Sequence, residues 1–382
     1  MAHAILSASG AHRWLTCTPS ARLEQQFKDE QSAYAAEGTR AHAAAELVLR
    51  REALGEKVAD PTFDDKEMEH AVGQYVDICM EKVIGARRLT LDADIQVEAR
   101  VDFSRWVPEG FGTGDMVIVA DDTLEIVDLK YGKGVPVSAE NNPQIRLYAL
   151  GAYEANSLLY DIKKVRMTIV QPRLDSVSTD EMAVEELLAW GDSIKDTAQL
   201  AFKGEGGYVP GSHCGFCKVR HLCRALADKY LEEYERRGGT KTELLLDTEV
   251  AEILDVADNM IKWAKSLQDY ALNKAVTEGK NWPGYKIVEG RSSRKIVDPV
   301  AAAKALIDAD YSEDDIYKPQ ELKGITDLTK LMGGTKALAD TIGQYIDTPK
   351  GRPTLVPLSD KRPPMELEPV NVDDFDDGLV EN

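Results

Sequence analysis

Apolar residues along this chain recur at two periods, and the switches between them mark its elements. Ser7 caps a short helix that breaks at Pro19, where a second begins. The Ala-rich run from Tyr34 to about Leu54 predicts a long helix. From Asp64 to Arg88, Met68, Val72, Val76, Cys79 and Val83 fall three or four apart, which predicts a second helix with Cys79 in its buried stripe. The period then drops to two. Asp94–Val101 alternates, with Ile95, Val97, Ala99 and Val101 on one side and Gln96, Glu98 and Arg100 on the other.

Two more short apolar runs, Met116–Ala120 and Leu124–Leu129, flank the polar pair Asp121-Asp122 and predict a hairpin. Asn141-Asn142-Pro143-Gln144 opens a helix with cap residues and an early proline. A strand at Val165–Gln171 and a helix at Asp180–Lys203 complete an α/β mixed sheet covered by helices. Beyond it, Thr242–Lys280 is amphipathic and helical, Trp282–Lys295 reads as a strand and turn, and Gly351–Pro364 as a loop. The predicted units are 1–238, a mainly helical 239–365, and a disordered acidic tail over 366–382.

Composition narrows the class. The chain has 382 residues, 43% of them apolar and 29% charged, as in an ordinary globular protein of about two domains. It has no apolar run of membrane-spanning length and no secretory leader pattern, which predicts a cytoplasmic protein. Its 46 Lys and Arg stand against 66 Asp and Glu, a net charge of −20, which excludes simple electrostatic coating of DNA but not a local basic groove. Seven of the acids lie in the tail from Glu366, a surface for a protein partner.

The hairpin carries the candidate chemistry. If Ala120 faces Thr123 across the turn, Asp115 falls opposite Asp128, with Cβ atoms about 4.5–5.5 Å apart. Two carboxylates that close call for a cation between them, and a divalent metal is the natural occupant. Lys130, two residues beyond Asp128, falls on the same face. Glu98 reads equally well as a further acid near the metals or as a charged sheet edge.

Asp115 with Asp128-Leu129-Lys130 resembles the active-site pattern of the PD-(D/E)xK nuclease superfamily, whose fold is a restriction-endonuclease-like mixed sheet. Glu37-Gly38-Thr39-x-x-His42 resembles the helix that precedes that sheet in the RecB-like branch, with Gly38 and His42 on one face. Gln144 and Tyr148, one helical turn apart, match the branch's additional Gln-x3-Tyr motif. The resemblance spans about Ser7 to Ala225. It implies a metal-dependent deoxyribonuclease, by resemblance an exonuclease, acting on DNA in phage replication or recombination. His42, Asp115, Asp128 and the carbonyl of Leu129 would hold Mg²⁺ or Mn²⁺, Lys130 would serve the attacking water, and Gln144 and Tyr148 would touch DNA or order the site. The chain lacks the ATP-binding motif of the related helicase–nucleases. A different class stays open, a non-catalytic DNA-binding accessory protein on the same scaffold.

Cysteine spacing adds a second centre. Cys214-x2-Cys217-x5-Cys223 lets three thiolates converge, and Cys17, in what reads as an exposed turn, is the candidate fourth ligand. One cysteine before the nuclease core and three after it resembles the iron–sulfur members of the RecB-like family, AddB-type helicase–nucleases and CRISPR-adaptation exonucleases, which implies a [4Fe–4S] cluster stapling the two ends of the domain. Structural zinc on three cysteines with His213 or His221 is the alternative.

Overall fold

The computed structural model describes residues 4–27, 33–237 and 247–288, with Thr329, Gly334 and Ala339. Two short helices, α1 (Ala11–Trp14) and α2 (Ser20–Glu24), precede the long α3 (Ala33–Leu54) and α4 (Lys66–Leu89). Ser7 caps the opening 3-10 turn through Gly10 N–H, and the Asp65 side chain caps α4 through Met68 N–H. The strands β1 (Asp94–Asp102), β2 (Phe111–Ala120) and β3 (Thr123–Leu129) lead into α5 (Pro143–Asn156) and β4 (Lys164–Gln171). Then come β5 (Ser176–Ala183), α6 (Val184–Lys203), α7 (Arg224–Arg237) and α8 (Asp247–Glu278).

The five strands form one mixed sheet in the order β1-β2-β3-β4-β5. All neighbours are antiparallel except β3 and β4, which α5 joins as a parallel crossover. Ala120 faces Thr123 as the hairpin predicts, and Asp121 turns the chain in the left-handed conformation, φ 54°. One face of the sheet packs under α3 and α4 through Val97, Met116, Ile118, Val127 and Leu129. The other packs against the N-terminal helices, α5 and α6 through Val101, Val117, Val119, Leu124 and Ile126. Cys79 is fully buried in the α3–α4 layer, as its stripe predicts.

Three expectations change. The alternation of β1 does not run through the strand. Val97 pairs with Met116 and Ala99 with Gly114, leaving Glu98, at φ 51°, opposite Asp115 with neither in the ladder. A regular strand would keep Val97 and Ala99 on one face. Here Val97 joins the α3–α4 layer while Ala99 and Val101 join the α5 layer. The helix predicted from Asp180 begins at Val184, because Ser176–Ala183 forms the edge strand β5, half-buried on one side only. Polar residues on both faces hide such a strand from pattern reading. Within Trp282–Lys295, the described residues to Val288 form a turn, Tyr285 N–H to Trp282 O, and no strand. Residues 242–246, 289–295, 351–364 and the acidic tail lie outside the described residues, while α8 bears out the helix from Asp247.

Helix α5 lies close on the sheet at Gly151. A Cβ there would come 2.9 Å from Val101 Cβ and 3.0 Å from Asp102 N, atoms that cannot step aside. Gly151→Ala therefore loses about 1–3 kcal/mol to overpacking, more than the roughly 1 kcal/mol that helix propensity returns. Urea unfolding should show a net fall in stability, and a rise would contradict the close approach.

Candidate metal centre and cysteine pocket

Asp115 sits where the β1–β2 ladder is interrupted, one position beyond the last β2–β3 pair, Met116 with Val127. Freed from the pleat, its carboxylate turns two ways. Oδ1 lies 3.2 Å from His42 Nδ1 on α3, and Oδ2 accepts the Leu129 N–H at 2.6 Å. Glu98 comes to the same point. One ligating atom each from His42, Glu98 and Asp115 lie within 4.8 Å of one another, a set suited to a single cation.

The electrostatics fit a cation-seeking pocket. Burial pushes the Glu98 carboxyl up to about 7, and the neighbouring Asp115 adds to it. Burial alone would depress the His42 imidazole, but Asp115 outweighs it and holds the ring above its ordinary pKa. Glu98 also carries a left-handed backbone, uncommon for a non-glycine residue inside a strand. The structure places it beside His42 and Asp115.

Asp128 is deeper, 2% exposed, with burial raising its carboxyl. It shares a strand with Leu124 and Ile126 at every second position, which turns it toward α5. The Lys130 ammonium lies 2.9 Å from its Oδ2, an atom otherwise without a hydrogen-bond partner. Lys130 Nζ also donates to Gln144 Oε1 at 2.9 Å, and Gln144 Nε2 lies 3.2 Å from Tyr148 Oη. Asn142 caps α5 through Gln144 N–H, which fixes the turn that presents Gln144. Gly112 leaves room for the Tyr148 ring, since a Cβ there would meet Cε1 at 2.7 Å. Asp128, Lys130, Gln144 and Tyr148 thus form one continuous polar chain, with His42, Glu98 and Asp115 beside it.

Gly38 lies one turn before His42, and a Cβ there would meet nothing within 4 Å, so the glycine leaves open space on that face of α3.

Cys17, Cys214, Cys217 and Cys223 line a single pocket together with His213. Cys17 is in a turn but 9% exposed, which corrects the exposed turn predicted for it. Packing of α1 and α2 against the body closes over it. Burial raises the Cys17 and Cys217 thiols, the latter to about 12, while backbone amides oppose the shift. Those amides are Val209 and Ser20 at Cys17 and Val219 at Cys217, and Gly211 N–H donates to Cys214 Sγ at 3.4 Å. Amide donors aimed at sulfur suit bound thiolates. Ser20 Oγ, also lining the pocket, is buried without a partner. His213 Nε2 lies 2.9 Å from the Val209 carbonyl, and the His221 ring packs between Phe27 and Tyr270. Among the described residues, the set of metal-type ligands within 4.8 Å of one another is that of His42, Glu98 and Asp115.

Among the described residues no helix is long and apolar enough to cross a membrane. A solved structure titled "Crystal structure of SSO0001" is similar over 55% of this chain and 95% of its own, at 14% identity and a TM-score of 0.23, values that carry no argument about this chain. A family model described as "Protein of unknown function (DUF2800)" matches residues 3–363. The match takes in the sheet, the acidic centre and the cysteine pocket alike, and the chain belongs to the DUF2800 family.

Proposed function

We propose that this protein is a Mg²⁺- or Mn²⁺-dependent deoxyribonuclease of the RecB-like PD-(D/E)xK kind, an exonuclease of phage DNA replication or recombination. The observation that carries the reading is the meeting of His42, Glu98 and Asp115 within 4.8 Å beside the Asp128–Lys130 pair. A histidine, three acids and a paired lysine gathered where the β1–β2 ladder is interrupted are a donor set for hard cations with an ammonium alongside.

His42, Glu98, Asp115 and Asp128, with the Leu129 carbonyl, would hold the metal. When bound, a divalent ion there supplies Lewis-acid polarisation of a phosphodiester oxygen and a nucleophilic water at neutral pH. Lys130 then has two tasks, orienting that water and offsetting charge on the scissile phosphate. Gln144 holds the Lys130 ammonium in place from α5, and Tyr148 backs Gln144. The two linked contacts give the Gln-x3-Tyr pair an ordering role behind the lysine.

For the cysteines we propose a [4Fe–4S] cluster with a structural role. The amide donors aimed at these sulfurs and the orphaned Ser20 hydroxyl in the same pocket support a group bound there. Closing a loop from Cys17 to Cys214 removes several kcal/mol of chain entropy in the cross-link picture.

Asp128→Asn and Lys130→Ala should each abolish Mn²⁺-dependent cleavage of labelled single- and double-stranded DNA while circular dichroism stays unchanged. Cleavage retained in either variant contradicts the assigned roles, and none by the wild type on any DNA favours the accessory-protein class. Anaerobic purification should yield a brown protein with iron and sulfide in near-equal amounts, and Cys17→Ser should lose both. A colourless protein carrying zinc would contradict the cluster.

A further inference from the structure

The chain leaving β4 carries two polar side chains, Gln171 and Arg173, that the nuclease reading does not use. Both are withdrawn from solvent, Gln171 at 2% and the Arg173 side chain at 8% exposure. Gln171 Nε2 donates to the carbonyls of Gly132 and Val135 at 2.8 and 2.9 Å, and its Oε1 accepts Val137 N–H at 3.0 Å. It therefore moulds the loop that follows Lys130. Lys130 itself is tied to the same strand, its N–H donating to Val170 O at 2.8 Å.

Arg173 reaches the other way. Its Nη1 is 3.2 Å from Glu37 on α3, and its Nε 3.1 Å from Glu67 in the first turn of α4. Its guanidinium also covers the Tyr131 ring at 4.6 Å from the centroid. One buried cation thus joins the helix that bears His42, the start of α4, and the residue after Lys130. A planar fork with several donors can serve two carboxylates and an aromatic face at once, and an ammonium cannot.

We propose that Arg173 is a positioning residue for the metal centre. It locks the first turns of α3 to the exit of β3, so that His42 and Lys130, which come from opposite faces of the sheet, keep a fixed separation. Glu37 is the limb of this clamp on the histidine helix, five residues before His42. The proposal rests on the metal-centre reading above, because it assigns Arg173 to the geometry of that same site.

The test is Mn²⁺ binding by the full chain, followed by isothermal titration, with thermal unfolding recorded in parallel. Arg173→Lys keeps the charge but not the fork, and Glu37→Gln cuts only the α3 limb without stranding a charge there. Partners bonded directly to a ligand change metal affinity about 10–100-fold; Arg173 and Glu37 stand one contact further back, so each variant should bind Mn²⁺ about three- to tenfold more weakly while remaining folded. Two folded variants that bind Mn²⁺ as the wild type does would overturn the proposal, even if their melting temperatures fall, since Arg173 would then be structural only. Absence of Mn²⁺ binding in the wild type would overturn the metal reading and this proposal with it.

Discussion

Asp115 is a largely buried carboxylate at a point where two strands stop pairing, and the rest of the centre follows from compensating it. A charge withdrawn from water needs partners on every open side. One oxygen takes the backbone of Leu129 and the other faces His42, while Glu98, forced into a left-handed backbone, brings a second acid to the same spot. Two acids and an imidazole that close together favour a cation over each other. The irregularity in β1 and β2 that creates this arrangement also switches which side of the sheet Ala99 and Val101 fill. Local strain and site geometry are therefore one feature.

Lys130 and Asp128 form the second layer of compensation. Asp128 is more deeply buried than Asp115, and it is held by a lysine whose other contact is the Gln144 side chain. Helix α5 thereby reads out the position of the strand lysine, and its tight seating at Gly151 fixes the distance. The N-terminal helices reach the cysteine loop by contacts of their own. Arg13 grips Glu24 while Glu24 accepts Lys218 N–H at 2.8 Å, one residue past Cys217. Thr18 donates to the Glu205 carbonyl at 2.6 Å, and Arg22 to that of Phe202. The two ends of the domain meet through protein contacts, and a group bound by the thiols would add to them.

Much of this was legible from residue order because periodicity and register are local rules. The Asp121-Asp122 turn fixes Ala120 against Thr123, and Asp115, Asp128 and Lys130 come near one another as that register implies. The stripe that buries Cys79, the cap at Asn142 and the gathering of Cys17 with three distant cysteines in one pocket were equally readable. The features that escaped depend on tertiary context. Nothing local marks Glu98 for a left-handed backbone, since its neighbours alternate as in any strand. An edge strand such as β5 has no buried face on one side to reveal it. Cys17 looks exposed until the fold closes over it. Arg173 carries no motif at all, because its partners Glu37 and Glu67 come from separate helices far earlier in the chain.

The proposed metal centre is a cation site formed by His42, Glu98 and Asp115 where the β1–β2 ladder is interrupted. Anomalous diffraction from crystals of the full chain grown with Mn²⁺ tests it directly. A manganese peak within bonding distance of those three side chains is the predicted result, and a fully ordered centre with manganese bound only elsewhere would contradict it.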